Sequence, residues 1–316
     1  MTTPDADTGP TPIYPKLAVV GSGLIGSSII HAARAHGVVT EVWVADSNPQ
    51  HRDRVVELGY ADHVTADVAE AVRDADLVVF AVPVRAMGEV MAAAAPALKP
   101  GATVTDTGSV KAFVAEALAE HAPANVFVIP GHPVAGTELS GPDAGFATLF
   151  ENRWVILTPQ QRDDAPYQAA VERLTEFWMT LGARVELMEE KHHDLVLAVT
   201  SHLPHLIAYN IVGVAADLEE VTEGEVMKYS AGGFRDFTRI AASDPIMWRD
   251  IFLTNRDAVL EMLGRFIEDL QALSRAIRWS EGEKLEALFS RTRAIRLGIV
   301  AAGQENAAPN FGRDGR

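Results

Sequence analysis

From Lys16 onward, short apolar, β-branched runs alternate with segments of helical periodicity. Residues 17–20 (LAVV), 41–46 (EVWVAD), 75–83 (ADLVVFAVP), 103–106 and 126–130 read as buried strands. Between them, residues 24–36, 48–58, 86–98 and 110–121 carry apolar side chains at helical spacing. This alternation predicts βαβ units, hence a parallel sheet covered on both faces and a Rossmann-like, doubly wound α/β fold. A β-rich excursion at 153–158, a helix ending at Leu181 and a run at 185–188 complete that half.

After Glu189 the pattern is helical only. Long periodic segments cover 191–216, 223–241, 245–275 and 281–300, with Ile251, Val259, Met262, Leu263, Phe266 and Leu270 at helical spacing. The expected organisation is an N-terminal tail at 1–15, a dinucleotide-binding domain at 16–188, a helical substrate and dimerisation domain at 189–302, and a tail at 303–316. Long helices in a small domain seldom bury every apolar stripe alone, which points to a homodimer.

Composition narrows the function. The chain has 316 residues, with 27 Lys and Arg against 43 Asp and Glu, a net charge of −16. That balance argues against nucleic acid and against an anionic membrane surface as partners. An anionic ligand would need a few local cations. The absence of cysteine excludes thiolate nucleophiles, disulfides and cysteine-ligated metal centres. The first 15 residues are acidic and Pro-rich, unlike a signal peptide, and the uncharged stretch 17–33 contains three Gly, three Ser and a His. The expectation is a soluble cytoplasmic protein with no membrane span.

The sequence Gly21-Ser22-Gly23-Leu24-Ile25-Gly26 follows a strand run and opens a helix. Gly21 permits a tight turn, Gly23 lets backbone approach a pyrophosphate, and Gly26 allows close helix–strand packing. The helix N-terminus offers unpaired N–H groups and its positive dipole end. Asp46, 20 residues past Gly26, ends the next strand run, where an acid can bind ribose hydroxyls. The same carboxylate repels a 2′-phosphate, and Arg52 and Arg54 lie further along the helix, so the expected cofactor is NAD rather than NADP. Pro83, closing the run 75–83, is a further expected cofactor contact.

Two other stretches carry chemistry. Asp106-Thr107-Gly108-Ser109-Val110-Lys111 sits at a strand's C-terminal end, where doubly wound sheets place ligands. Ser109 reads equally well as the N-cap of the following helix. Gly131-His132-Pro133-Val134-Ala135-Gly136-Thr137-Glu138 reads as a Gly-bounded loop in which Pro133 fixes the backbone beside His132. A rigid imidazole next to a nicotinamide pocket suits acceptance of a hydroxyl proton as hydride leaves. Arg235 and Arg239 are spaced to share a helical face, and a guanidinium matches a carboxylate.

With GSGLIGSS, DTGSVK, GHPVAGTELSG, SHLPH and GGFRDFTRIA in order over about residues 16–300, the chain resembles the prephenate/arogenate dehydrogenases of tyrosine biosynthesis. The resemblance implies NAD(P)-dependent oxidation of prephenate, a dianion, with loss of its ring carboxylate as CO₂ to give 4-hydroxyphenylpyruvate. It implies His132 as the polarising base and Ser109 as the residue that orients it. Arg239 would hold a substrate carboxylate, His205 would help bind substrate, and Trp248 would arrive from the partner subunit. Glu138 would gate the pocket, with Thr137 beside it. No metal is implied. The chain stops too soon after Val300 for the regulatory ACT-type domain that some members carry.

In the segment 191–216, Asp194, Ala198, Ser201 and His205 share one helical face, whereas His202 falls on the apolar face as a core histidine. Pro204 predicts a kink that exposes His205. A metal set of His192, His193, Asp194, His202 and His205 points in divergent directions and is the weaker reading. The rival functions are an arogenate or 4-amino-4-deoxyprephenate dehydrogenase, a β-hydroxyacid dehydrogenase or imine reductase, and a non-catalytic NAD-responsive regulator.

Overall fold

The computed structural model describes residues 12–137, 139–219 and 231–301. Its first layer is a six-stranded, all-parallel sheet: β1 (Tyr14–Val20), β2 (Val39–Ala45), β3 (His63–Thr65), β4 (Leu77–Phe80), β5 (Thr103–Asp106) and β6 (Phe127–Val128). The order is β3-β2-β1-β4-β5-β6. The strand order reverses between β1 and β4, so a crevice opens at their carboxyl ends. Alternation along β1 decides which core each side chain enters. Leu17 and Val19 join Ile29, Leu77 and Trp178 on one face, while Ala18 and Val20 join Val78, Met87 and Val104 on the other. Helices α1 (Leu24–Ala35), α2 (Pro49–Leu58), α3 (Val68–Val72), α4 (Met87–Ala94) and α5 (Lys111–His121) connect the strands.

The sequence pattern misses β3 and α3. Both are only three to five residues long, and α3 forms because the Asp67 side chain caps it by accepting from Ala69 N at 2.9 Å. A larger difference concerns His132, which lies in a strand rather than a loop. β7 (Gly131–Pro133) pairs antiparallel with β8 (Trp154–Leu157), which pairs parallel with β9 (Arg184–Leu187), making a second, three-stranded sheet. Pro133 lacks an N–H, which short terminal strands tolerate. Helix α6 (Ala165–Thr180) precedes β9 and inserts Leu174, Phe177 and Trp178 into the core.

The remainder is helical. α7 (Glu190–Leu197) runs through a π turn at Ala198–His202 into α8 (Leu203–Glu219). Pro204 cannot donate to the helical ladder, and the turn just before it widens to accommodate the loss. That wide turn changes the phase of the helix, so Asp194 and His202 are both buried while His205 is half-buried. The shared face expected for Asp194 and His205 is therefore not kept. By length and composition residues 190–218 would also suffice to cross a membrane, a possibility the stretch 17–33 does not bring out. In the structure their inner face holds His193, Asp194 and His202 against polar partners of the same chain.

Further helices cover Gly232–Thr238, with a 3-10 turn at Arg239–Ala242, then Pro245–Thr254, Arg256–Arg278 and Gly282–Ala301. The single helix expected over 245–275 breaks at Asn255, whose buried side chain bonds to other helices instead. By packing, the helices between 190 and 254 group with the sheets in one compact unit, and a second unit begins at Leu260. Both expected tails lie largely outside the described residues, as does the start of the segment expected at 223–241.

Gly26 marks the tightest approach of α1 to β1: a Cβ there would sit 2.0 Å from Gly21 O. Gly26→Ala should lower unfolding stability by about 1–3 kcal/mol as the helix is pushed off the sheet. Urea unfolding checks this, and an unchanged midpoint would contradict it.

Candidate active site

The nucleotide end forms where β1 stops. Gly21 has φ +97°, and a Cβ on it would lie 2.3 Å from Ala81 O beyond β4. Glycine is thus required on two counts. The N-cap of α1 is Gly23, which supplies no side-chain cap, so the first N–H groups of the helix are open to an anion. Leu24 and Ile25 point into or against the core and can serve a ligand only through their backbone. Pro83 is exposed and opens the 3-10 turn Val84–Ala86 after β4.

Asp46, nearly buried at the end of β2, accepts from Ser22 N at 2.8 Å, Ser22 Oγ at 2.6 Å and Asn48 N at 2.9 Å. Burial acts to raise its pKa, but these hydrogen bonds outweigh it and hold the carboxyl below the ordinary value. Sequence order sets Arg52 away from this site. The fold returns it: Arg52 Nη1 donates to Asp46 O at 2.7 Å and Ser47 O at 3.0 Å. Arg54 turns outward to Asp143 and Glu57.

The chemical end is built on a fully buried ion pair. Lys111 Nζ donates to Asp106 Oδ2 and, at 2.6 Å, to Gly131 O, while Gly131 N donates to Asp106 Oδ1 at 3.0 Å. Gly108 N also donates to Asp106 Oδ2, at 2.7 Å. Both polar backbone groups of Gly131 are thereby tied to the β5 tip, which fixes where the next residue, His132, begins. Burial lowers the Lys111 pKa, and the Asp106 carboxylate works against that shift.

His132 is 7% exposed, and its Nδ1 lies 2.9 Å from His193 Nε2. His193 is fully buried, with Nδ1 2.8 Å from Asp194 Oδ1. Asp194 in turn accepts from the N–H groups of Lys111 at 2.7 Å and Ala112 at 3.0 Å, capping α5 from another element. The N-cap position itself is Val110, with no side-chain cap of its own. The Ser109 hydroxyl is therefore not used as a helix cap, and among the described residues it has no hydrogen-bond partner. Burial holds the His132 pKa well below the usual histidine value, and the positive charge available on His193, Lys111 and His202 pushes the same way. At neutral pH His132 is an uncharged base.

His205 donates from Nδ1 to Ser201 O at 2.8 Å and stacks on Trp248, with ring centroids 3.6 Å apart and planes 21° apart. Trp248, expected from a partner subunit, is buried against its own chain's His205, Val110 and Ile251. The residue after Ser109 thus touches Trp248, and the next one, Lys111, touches Asp194. Arg239 is exposed at the start of its 3-10 turn, and its charge lowers the pKa of His205 along with burial. Thr137 is half-buried and its Oγ1 accepts from Leu139 N at 3.2 Å. Glu138 lies outside the described residues. His202 is a core histidine bonded at 3.1 Å to Asn255, which also donates to Asp194 O at 2.8 Å. An apolar depression of about 560 Å³ beside α6, lined by Val171, Thr175, Met179 and Leu187, contains none of these groups.

The sequence reading places Asp194 on a face with His205 and weighs His193 and Asp194 as metal ligands, without linking either to His132, and it passes over Asn255. The one available signal was a His-His-Asp run opening an otherwise apolar helix.

Comparison with known proteins decides the family. Residues 29–187 match the model of the prephenate dehydrogenase nucleotide-binding domain, and 189–291 match that of the prephenate dehydrogenase dimerization domain. The chain belongs to the prephenate dehydrogenase family. It is 46% identical to the cyclohexadienyl dehydrogenase of Zymomonas mobilis, over 91% of this chain and 97% of that one. It is 31% identical to the prephenate dehydrogenase of Bacillus subtilis, over 93% of this chain and 78% of that protein. The crystal structure of A. aeolicus prephenate dehydrogenase in complex with hydroxyphenyl propionate and NAD+ superposes with a TM-score of 0.83, at 34% identity, over 90% of this chain and 98% of that one. As a member of this family the protein is an oxidoreductase.

Two outcomes test the buried polar cluster. Burial depresses His202 to a pKa of about 4, so the unfolded chain binds more protons below the ordinary histidine value and stability must fall with pH. Between pH 7 and pH 5 that one residue should cost about 2 kcal/mol, with His132 and His193 adding in the same direction. Chemical denaturation at both pH values measures this, and equal stability would refute it. Separately, Lys111→Met leaves Asp106 buried without its cation and should destabilise by about 3–5 kcal/mol.

Proposed function

We propose that this protein is an NAD-dependent dehydrogenase that oxidatively decarboxylates prephenate to 4-hydroxyphenylpyruvate. The observation that carries the reading is His132, an imidazole kept neutral by burial and pinned at the Asp106–Lys111 tip. The open N-terminus of α1, the cradle at Gly21 that a Cβ would fill, and the Asp46 carboxylate fit a dinucleotide with a free ribose diol. NAD supplies the hydride acceptor.

His132 accepts the proton of the ring hydroxyl as the carbon bearing it loses hydride. The ring carboxylate then leaves as CO₂, its bonding electrons restore aromaticity, and the proton returns to the phenolic oxygen. Substrate dianion plus NAD+ thus gives product monoanion, CO₂ and NADH, with His132 regenerated. Ser109, with its hydroxyl uncommitted, serves the substrate and nicotinamide side of His132. Arg239 docks a carboxylate, and His205, braced on Trp248, offers Nε2 to the side chain of the substrate. Thr137 and Glu138, next in the same sequence motif as His132, complete the substrate side of the proposal.

Prephenate is favoured over arogenate because the positive field of Arg239 reaches His205, and arogenate would bring an ammonium there. Asp46 favours NAD over NADP by repelling a 2′-phosphate, although Arg52 lies beside it. The working unit is a homodimer: the second half matches a dimerization domain, and Leu260, Ile277, Trp279 and Phe289 are more than half exposed.

NADH formation from prephenate, assayed beside arogenate and with both cofactors, tests the substrate and cofactor assignments. Higher kcat/KM with arogenate reverses the choice of substrate. His132→Asn should lower kcat by about 10²–10⁴-fold, with KM within about threefold. Near-normal turnover by that variant removes the assigned base.

A further inference from the structure

The hydrogen bonds behind His132 have a direction. The Asp194 carboxylate can only accept, and it sits at the N-terminus of α5, taking the N–H groups of Lys111 and Ala112, where the helix dipole favours an anion. Its 2.8 Å contact with His193 Nδ1 therefore requires the proton on that nitrogen. A neutral His193 then presents a bare Nε2, which must accept from His132 across 2.9 Å, so His132 carries its proton on Nδ1. The nitrogen left without a proton is His132 Nε2.

We infer that His193 and Asp194 are positioning residues for the base: Asp194, His193 and His132 form a directed chain that locks His132 in its Nδ1–H tautomer and leaves Nε2 to take the substrate proton. The inference deepens the functional reading above and rests on it for the identity of the proton donor. When Nε2 takes the hydroxyl proton, His132 becomes an imidazolium whose Nδ1–H already points at His193 Nε2, with the Asp194 carboxylate behind. The proton goes back to the phenolic oxygen as CO₂ departs, so the chain ends as it began. The other groups facing it are Lys111 and Asp106 at the β5 tip, Glu190 on α7, and His202 from the π turn. His193 cannot rotate away, because it is fully buried and packed at 69° to the His132 ring, with centroids 5.1 Å apart.

The test has two arms on the full-length protein. In the first, ¹⁵N-histidine labelling and a long-range ¹H–¹⁵N correlation spectrum read the tautomers of the unsubstituted protein, with His132→Asn and His193→Gln used for assignment. The expected result is Nδ1–H for both His132 and His193, and a His132 found as Nε2–H overturns the inference. In the second, His193→Leu removes the acceptor and His193→Gln restores one at the Nε2 position. His193→Leu should lower kcat on prephenate by about 100-fold with KM within about twofold, while His193→Gln should stay within about tenfold of the unsubstituted enzyme. Unchanged kcat in His193→Leu, or equal losses in both variants, defeats the positioning role. An unsubstituted enzyme that does not oxidise prephenate defeats the functional reading instead, and the tautomer measurement still decides the chain.

Discussion

The ammonium of Lys111, sealed between the Asp106 carboxylate and the Gly131 carbonyl, is the constraint on which the reactive end of this protein depends. A charge with no solvent must be matched by acceptors, here the Asp106 carboxylate and the Gly131 carbonyl, while the Gly131 N–H donates to the same carboxylate. Because a buried ion pair tolerates little displacement, it fixes the start of β7 relative to the main sheet. His132 inherits that fixity. An apolar packing of the same tip could be equally stable, yet it would not specify the direction in which Gly131 presents its N–H and C=O.

The same six-residue turn organises the helical side. Lys111 and Ala112 give their N–H groups to Asp194, and Val110 packs on Trp248, which braces His205. One short loop therefore holds both His132 and His205, through contacts that are polar on one side and apolar on the other. Burial then makes the histidines neutral, which suits a proton acceptor and is costly for stability in acid. In a chain of net charge −16 a positive field is local, and Arg239 beside His205 is such a case.

Much of the architecture was legible in one dimension. The alternation of apolar strands with amphipathic helices, and a glycine turn followed by Asp46, are local patterns read directly from periodicity and spacing, and β5 appears over the residues expected. The helical second half was visible for the same reason. Short elements such as β3 and α3 escaped because three to five residues are too few to show a period. The break at Asn255 escaped because its cause, a bond to Asp194 and His202, is distant in sequence.

The sequence by itself determined the fold class and the nucleotide turn, because each depends on residue types at fixed local separations, and it singled out His132 by its Gly-bounded His-Pro motif. Only the tertiary structure decided what stands behind His132. It carried Asp194 to the N-terminus of α5, 83 residues earlier in the chain. It also returned Arg52 to Asp46, brought Trp248 onto its own chain's His205, and freed Ser109 from capping. Hydrogen-bond direction is a property of neighbours in space, and spacing along a chain does not carry it.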